Sequence, residues 1–220
     1  MVKYESEMID ILNALSESGM LPNCVICGSW SMFFYKHIFE DFIPPIATTD
    51  LDIFLPNVSK IKDNNISHLL ADIDYIREGD YLTGKTRYYS KAGFDIEFLT
   101  TPDRTMGHVI KIKAGNIGAE ALPKMALAGW NYIQVDYNEL TVNIVSPVSF
   151  ILQKLLINKE RTPEYKKEKD IDAVRYILNF VKTSRKYSEE LKQSFESCPK
   201  KWKKSIKETA EIYNINLDLE

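Results

Sequence analysis

Cysteine, glycine and proline are all scarce in this sequence of 220 residues, and long apolar runs are missing. The three cysteines are too few to cross-link a chain of this length, so a disulfide framework is excluded. With 9 glycines and 9 prolines, the composition also excludes collagen-like and linker-like proteins. No apolar run reaches the roughly 18 residues that a membrane-spanning helix needs, and the acidic start of the chain is unlike a signal peptide. We therefore expect a cytoplasmic protein without membrane association.

Charge is moderate overall but unevenly distributed along the chain. The composition, 45% hydrophobic and 27% charged, is that of a soluble globular protein. From residue 151 onward 16 basic residues stand against 12 acidic ones, so this part carries +4 and residues 1–150 carry −7. One interpretation is that the basic part binds a polyanion while the acidic part binds a cation. The alternative is that its lysines form an ordinary solvated helix face.

Apolar residues recur at helical spacing in some segments and alternate in others, which predicts a mixture of helices and strands. Helices are expected at residues 4–15, from Gly28 to about Phe39, at 66–73 and at 119–128. Strands are expected at residues 24–27 and 51–55, a hairpin of two strands at 87–90 and 94–99, and a further hairpin at 132–145. Beyond Pro147 the pattern changes to long helical periods. We therefore predict an α+β fold, a mixed sheet with flanking helices, and a domain boundary near Ser146.

Four acidic residues fall on two of the predicted strands. Asp50 and Asp52 are two residues apart on one strand, so they share a face of the sheet. Asp95 and Glu97 share a face of the other strand for the same reason. Crowded carboxylates repel each other unless a cation neutralises them, and hard oxygen ligands suit Mg²⁺ or Mn²⁺. The pattern therefore indicates a site for a divalent cation.

Gly28-Ser29 follows the first predicted strand and opens the second predicted helix. A helix start offers free backbone N–H groups and the positive end of the helix dipole, which suit a triphosphate. With Asp50-Leu51-Asp52 and the later Ile96-Glu97-Phe98, this order resembles the DNA polymerase β-type nucleotidyltransferase superfamily. The superfamily signature is a strand, Gly-Gly or Gly-Ser, a helix, Asp-x-Asp or Asp-x-Glu, and a third carboxylate on a neighbouring strand. Within it, the chain is most similar to bacterial stand-alone nucleotidyltransferase-like proteins related to AbiE-type toxins.

The resemblance implies an activity and a domain organisation. It implies a nucleotidyltransferase-like catalytic domain at residues 1–145 and a C-terminal helical domain at 146–220. The implied reaction moves a nucleoside monophosphate from an NTP to an acceptor hydroxyl, with Mg²⁺ or Mn²⁺ held by Asp50, Asp52 and Glu97. The phosphates would lie near Gly28 and Ser29.

Further residues follow from the same resemblance. The similar proteins carry a Lys, a downstream Arg and a Lys-Asp pair in their helical part, which correspond here to Lys154, Arg161 and Lys169-Asp170. Lys154 is the candidate for a phosphate contact, with a surface lysine as the alternative. Asp95 or Glu97 would help to deprotonate the acceptor hydroxyl.

The sequence departs from the superfamily pattern in two places. The gap from Gly28 to Asp50 is longer than in the compact motif, so residues 39–49 are expected to form an inserted loop. The third acid is ambiguous, since Asp95 and Glu97 are both available. The apolar positions and the following Thr100-Thr101-Pro102 favour Glu97, with Asp95 as the alternative.

Gly79 to Thr86 matches the Walker A pattern G-x-x-x-x-G-K-T, which alone would indicate an ATPase or a GTPase. That motif needs a buried strand before the loop and a helix after it. Here the preceding residues make a poor core strand and the following Arg87-Tyr88-Tyr89-Ser90 is strand-like. We therefore interpret the segment as a polar turn between two strands, from which Lys85 or Arg87 could still reach a nucleotide.

Two rival functions use the same sequence features. A non-catalytic nucleotide-binding or regulatory protein would keep the fold, for example as one half of a toxin–antitoxin pair, but the complete acid set argues against it. An RNA-binding module would use the basic tail and would show a steep salt dependence. The acceptor is open among RNA, a protein hydroxyl and a small molecule, because acceptor choice depends on loops without a transferable signature.

Overall fold

The structure is a computed structural model that describes residues 5–45, 48–62, 64–102 and 108–219. Within these residues, nine strands form one mixed sheet, accompanied by eight α-helices. The strands are β1 (Val25–Cys27), β2 (Asp50–Leu55), β3 (Tyr75–Gly79), β4 (Thr86–Ser90), β5 (Asp95–Thr100), β6 (Val109–Ile112), β7 (Ile117–Ala121), β8 (Tyr132–Tyr137) and β9 (Leu140–Val145). The helices are α1 (Glu5–Glu17), α2 (Ser31–Phe34), α3 (Ile66–Asp72), α4 (Ala126–Trp130), α5 (Pro147–Ile157), α6 (Glu164–Thr183), α7 (Arg185–Ser197) and α8 (Lys200–Ile212).

The sheet places β2 and β5 side by side at its centre. Its strand order is β3-β4-β5-β2-β1-β9-β8, while β7 pairs with β5 and β6 pairs with β7. The β2–β5, β1–β9 and β5–β7 pairs are parallel and the others are antiparallel. The mixed sheet with flanking and C-terminal helices confirms the predicted α+β fold. No helix within the described ranges combines the length and apolarity needed to cross a membrane.

The opening helix and both predicted hairpins are confirmed. Helix α1 buries one apolar face and is followed by Gly19, whose φ of +73° suits glycine. Strands β4 and β5 pair in the predicted antiparallel hairpin, as do β8 and β9. The second predicted helix is shorter than expected, because only Ser31–Phe34 is α-helical. Turns of 3₁₀ helix precede and follow it, at Gly28–Trp30 and Tyr35–His37.

The helix predicted at residues 119–128 is wrong over its first part. Ile117–Ala121 is strand β7, and the helix α4 begins only at Ala126. Alanine-rich sequence favours a helix, but pairing of β7 with both β5 and β6 outweighs that local preference. Gly118 allows this pairing beside the β3–β4 loop, since a Cβ there would lie 2.0 Å from the Gly84 carbonyl oxygen.

The change from strand to helix falls at Ser146, where the domain boundary is predicted. The Ser146 hydroxyl accepts a hydrogen bond from the Ser149 N–H at 3.1 Å and caps the start of α5. Helix α5 is buried over almost its whole length, and buried apolar residues from before and after Ser146 form one cluster. The division into two domains stays a prediction, and the cluster shows that both parts share a core.

Candidate active site

The four predicted acids come together at the start of two parallel strands. In the β2–β5 register, Asp50 lies opposite Asp95. Asp52 lies opposite Glu97 in the same register. Asp50 is exposed and the other three are partly buried. The alternation of a β-strand therefore puts all four side chains on one face at one end of the sheet, with apolar residues between them facing the core.

Asp52 is the acid most strongly affected by its surroundings. Its pKa is raised to about 6, chiefly because burial penalises the charged carboxylate. Lys154 opposes this shift, whereas the neighbouring carboxylates of Glu97 and Asp50 add to it. The pKa of Asp95 is also raised, first by burial. Burial therefore disfavours the charged form of both carboxyls, and the neighbouring acids add to that effect.

Gly28 lies directly against Asp52. Its φ of +63° is in the left-handed region, and a Cβ at this position would lie 2.2 Å from Asp52 Oδ2. Glycine is therefore the residue that fits here. The Ser31 hydroxyl donates to the Gly28 carbonyl at 2.8 Å and fixes the turn that follows. Ser29 comes next and lines the cleft in front of the acids.

A group of cations on the C-terminal helices faces the acids. Lys154 of α5 pairs with Asp170 of α6 at 2.8 Å, and both side chains are almost fully buried, with 8% and 5% exposed. Arg161 donates from Nε to the other oxygen of Asp170 at 2.9 Å. Burial lowers the pKa of Lys169, and Lys154 lowers it further. Asp170 therefore holds two cations in place at the edge of the cleft.

The acids and the cations line one open cleft of about 560 Å³. Its acidic wall is formed by Asp50, Asp52, Asp95 and Glu97, and its basic wall by Lys154, Arg161, Lys166 and Lys169. Ser29 and Tyr165 also line it. A polyanion with a bound cation fits such a space, because the basic wall attracts the anion and the acidic wall attracts the cation. The residues predicted as phosphate contacts and as metal ligands thus share a single cavity.

Both candidates for the third acid already have a cationic partner. Lys85 Nζ lies 2.9 Å from Glu97 Oε2 and 2.6 Å from Glu120 Oε2. Arg87 Nη1 lies 3.5 Å from Asp95 Oδ2. In the described part of the chain, no three histidine, cysteine or acidic side chains are gathered as a ready-made metal site. The donor set suits Mg²⁺ or Mn²⁺ in its chemistry, while Lys85 and Arg87 engage part of it.

The Walker-like segment is confirmed as a turn between two strands. It connects β3 to β4, and a strand follows it instead of a helix. Its lysine points to carboxylates and not into a phosphate cradle. Glu120 is the acidic partner that the sequence interpretation missed, because its segment was predicted to be helical. The segment gives no clear local signal of a strand, because its burial does not alternate: every residue from Ile117 to Ala121 except Glu120 is buried.

The class of enzyme follows from comparison with known protein families. The chain belongs to a nucleotidyltransferase family, whose model matches residues 6–199. Family membership confirms the predicted enzyme class and the superfamily resemblance. The relation to AbiE-type toxins stays a prediction. No curated protein matches the sequence.

Several solved structures have a loosely similar shape. An antigenic nucleotidyltransferase-like protein from Paracoccidioides brasiliensis is 16% identical, with 92% of each chain covered and a TM-score of 0.49. The antibiotic-resistance factor ANT(2'')-Ia is 13% identical, with 87% of this chain and 90% of that chain covered and a TM-score of 0.47. The lincosamide antibiotic adenylyltransferase LnuA is 12% identical, with 80% and 98% covered and a TM-score of 0.45.

Proposed function

We propose that the protein transfers a nucleoside monophosphate from an NTP to an acceptor hydroxyl with the help of Mg²⁺ or Mn²⁺. The observation that carries the proposal is the β2–β5 register, which sets Asp50 and Asp52 against Asp95 and Glu97. These acids share a cleft with the buried Lys154. Membership of a nucleotidyltransferase family supports the same reaction.

Asp50, Asp52 and Glu97 are the residues that would hold the divalent cation. All three offer carboxylate oxygens, the ligands that Mg²⁺ and Mn²⁺ prefer. Burial and the neighbouring Glu97 and Asp50 raise the pKa of Asp52, so a bound cation would stabilise its charged form. When bound, a divalent cation neutralises charge that develops on the transferred phosphate. The carboxylates stand on adjacent strands of a buried sheet, so their spacing is set by the backbone.

Gly28, Ser29 and Lys154 are proposed to bind the phosphates. Ser29 offers a hydroxyl and a backbone N–H at the cleft, and Gly28 lets the chain pass close to Asp52. Because α2 has four residues, the helix dipole expected from the sequence contributes little here. Lys154 and Arg161, held by Asp170, supply the positive charge instead.

The proposed reaction is an in-line displacement at the α-phosphorus. The acceptor oxygen forms a bond to this phosphorus, and the bond from the phosphorus to the oxygen that bridges to the β-phosphorus breaks. The electron pair of the broken bond leaves with pyrophosphate, which lies near Ser29 and Lys154. The acceptor proton passes to Asp95, whose pKa is raised by burial against the opposing effect of Arg87.

Calorimetry with Mg²⁺ and a non-hydrolysable NTP tests the proposal. The wild type is expected to bind the nucleotide only with the metal, and Asp50→Asn/Asp52→Asn is expected to lose this binding while remaining folded. The matched control, Asp72→Asn/Asp136→Asn, removes two exposed carboxylates away from the cleft and should bind like the wild type. Metal-dependent binding that survives in the Asp50/Asp52 variant would contradict the proposal.

Transfer itself is tested with an NTP labelled at the α-phosphate. RNA, protein and small-molecule acceptors are offered separately, and label should move to one of them with release of unlabelled pyrophosphate. The same label should stay in the nucleotide with Asp50→Asn/Asp52→Asn. A purely regulatory protein would bind the nucleotide without moving the label to any acceptor.

A further inference from the structure

Lys85 is the one residue of the Walker-like segment that reaches the acidic wall. Its ammonium lies between two carboxylates, 2.9 Å from Glu97 and 2.6 Å from Glu120. About a quarter to a third of each of the three side chains is exposed, at 27% for Lys85, 29% for Glu97 and 34% for Glu120. A cation therefore already occupies one side of the carboxylate proposed as the third metal ligand.

The backbone of Lys85 is fixed from both sides. The Lys85 carbonyl accepts a hydrogen bond from the Asp80 N–H at 2.8 Å within the loop. The next residue, Thr86, is 1% exposed, and its hydroxyl accepts from the Gly118 N–H of β7 at 2.9 Å. The tip of the loop is exposed, but its end is part of the sheet. Only the side chain of Lys85 is thus free to change its partner.

We propose that Lys85 is a positioning residue that controls the access of the divalent cation to Glu97. It pairs with both Glu97 and Glu120 in the metal-free enzyme and keeps only Glu120 when the metal binds. Glu120 lowers the free-energy cost of breaking the Lys85–Glu97 pair, because Lys85 keeps a close carboxylate partner after it releases Glu97. The inference rests on the proposed function, since it takes Glu97 as a metal ligand.

A direct consequence is weak binding of the metal alone. A divalent cation that approaches Glu97 meets the charge of Lys85 a few ångströms away, and like charges at that distance repel. A metal that arrives with a triphosphate brings compensating negative charge. The site is therefore set to bind the metal together with the nucleotide.

The test is Mn²⁺ binding to nucleotide-free protein, measured from the electron paramagnetic resonance signal of free Mn²⁺. Lys85→Met is expected to bind Mn²⁺ about tenfold more tightly than the wild type. Lys85→Arg, which keeps the charge, should bind like the wild type. Lys60→Met is the matched control, because Lys60 is exposed and follows the opposite end of β2.

Glu120→Gln distinguishes an exchange of partners from simple charge repulsion. Without Glu120, Lys85 has only Glu97 as a partner and stays on it. Glu120→Gln is therefore expected to weaken Mn²⁺ binding about threefold more in the wild type than in the Lys85→Met variant. If Lys85 does not change partner, Glu120→Gln should weaken Mn²⁺ binding by the same factor in both proteins. That result would contradict the proposed exchange of partners.

Two other results would also reject the proposal, for different reasons. If Lys85→Met binds Mn²⁺ no better than the wild type while the wild type binds Mn²⁺ with an NTP analogue, only the role of Lys85 is wrong. If no variant and no wild-type protein binds Mn²⁺ even with the analogue, the proposed function fails together with it. Thermal unfolding of each variant checks that the loop change leaves the fold intact.

Discussion

The buried charges on the two walls of the cleft have different surroundings. The basic wall contains its own counter-ion, because Asp170 accepts from both Lys154 and Arg161. On the acidic wall, Asp52 is surrounded by other carboxylates, and its pKa is raised to about 6, first by burial. Lys154 and Arg161 thus have a close counter-ion without any ligand, whereas Asp52 has acidic neighbours.

The difference predicts how the free protein responds when an acid is removed. A buried ion pair with satisfied geometry is rigid and costs stability when one partner is removed. A crowded set of carboxylates costs stability while it stays charged and gains when a cation arrives. Removing an acid from the two walls should therefore have opposite effects on the free protein.

The largest effect is expected from Asp170→Asn. It leaves Lys154 buried without a counter-ion, and the loss of a buried partner costs about 3 to 5 kcal/mol. Denaturant unfolding at pH 7 measures the change. Asp172→Asn is the matched control, because Asp172 is two residues away, 78% exposed and only loosely paired with Arg175. It should change stability by less than about 0.5 kcal/mol.

A second variant tests the reason for that loss. Lys154→Met added to Asp170→Asn removes the unpaired charge and should recover part of the stability. If Asp170→Asn is within 1 kcal/mol of the wild type, roughly the cost of a surface pair, the comparison between the walls is wrong.

An effect of the opposite sign is expected from Asp52→Asn. The folded pKa of about 6 lies above the ordinary value of 3.8, so the charged form is disfavoured by folding. The Asp52 carboxyl does not destabilise the fold at low pH, where it is protonated. It lowers the free energy of unfolding progressively as the pH rises from 3.8 to 6. At pH 7 the variant should be more stable by at most roughly 3 kcal/mol.

The pH dependence makes the Asp52 prediction specific. Without metal, unfolding curves from pH 4 to 8 should show the advantage of Asp52→Asn shrinking as the pH falls, because the wild-type carboxyl becomes protonated. Asp136→Asn, an exposed control on β8, should show no such trend. A variant that is less stable than the wild type at pH 7 would contradict the electrostatic account of the acidic wall.

The smallest effect is expected from Arg87→Gln. Arg87 is 43% exposed and lies 3.5 Å from Asp95, so its loss should change stability by less than about 0.5 kcal/mol. Burial raises the pKa of Asp95 and Arg87 opposes it, so removing Arg87 should raise this pKa further. The acidic limb of the pH–rate profile should then move to higher pH. A limb that stays in place would remove Asp95 from the role of base.

Strand alternation explains why the acids were predictable. Asp50 and Asp52 alternate with buried Leu51 and Ile53, and the spacing of two residues decides their common face wherever the strand lies. The same holds for Asp95 and Glu97. Their roles as ligands or base remain predictions, but their meeting on one sheet face is observed.

Contacts between distant segments explain what the sequence interpretation lacked. Residues 119–121 carry helix-favouring alanines, and only pairing with β5 and β6 makes them a strand. Glu120 and Lys85 are 35 residues apart and meet through that pairing. Nothing local to either residue indicates the other, so the pairing of Lys85 with Glu120 was not predictable.

The sequence alone determined the order of the main helices and strands around the site and the common face of each acid pair. These are local properties, set by the side-chain period. Tertiary structure decided which charges neutralise each other: Asp170 with Lys154 and Arg161 on one wall, and Lys85 with Glu97 on the other. Charge pairing depends on distance and burial, and both are set only when segments far apart in the chain pack together.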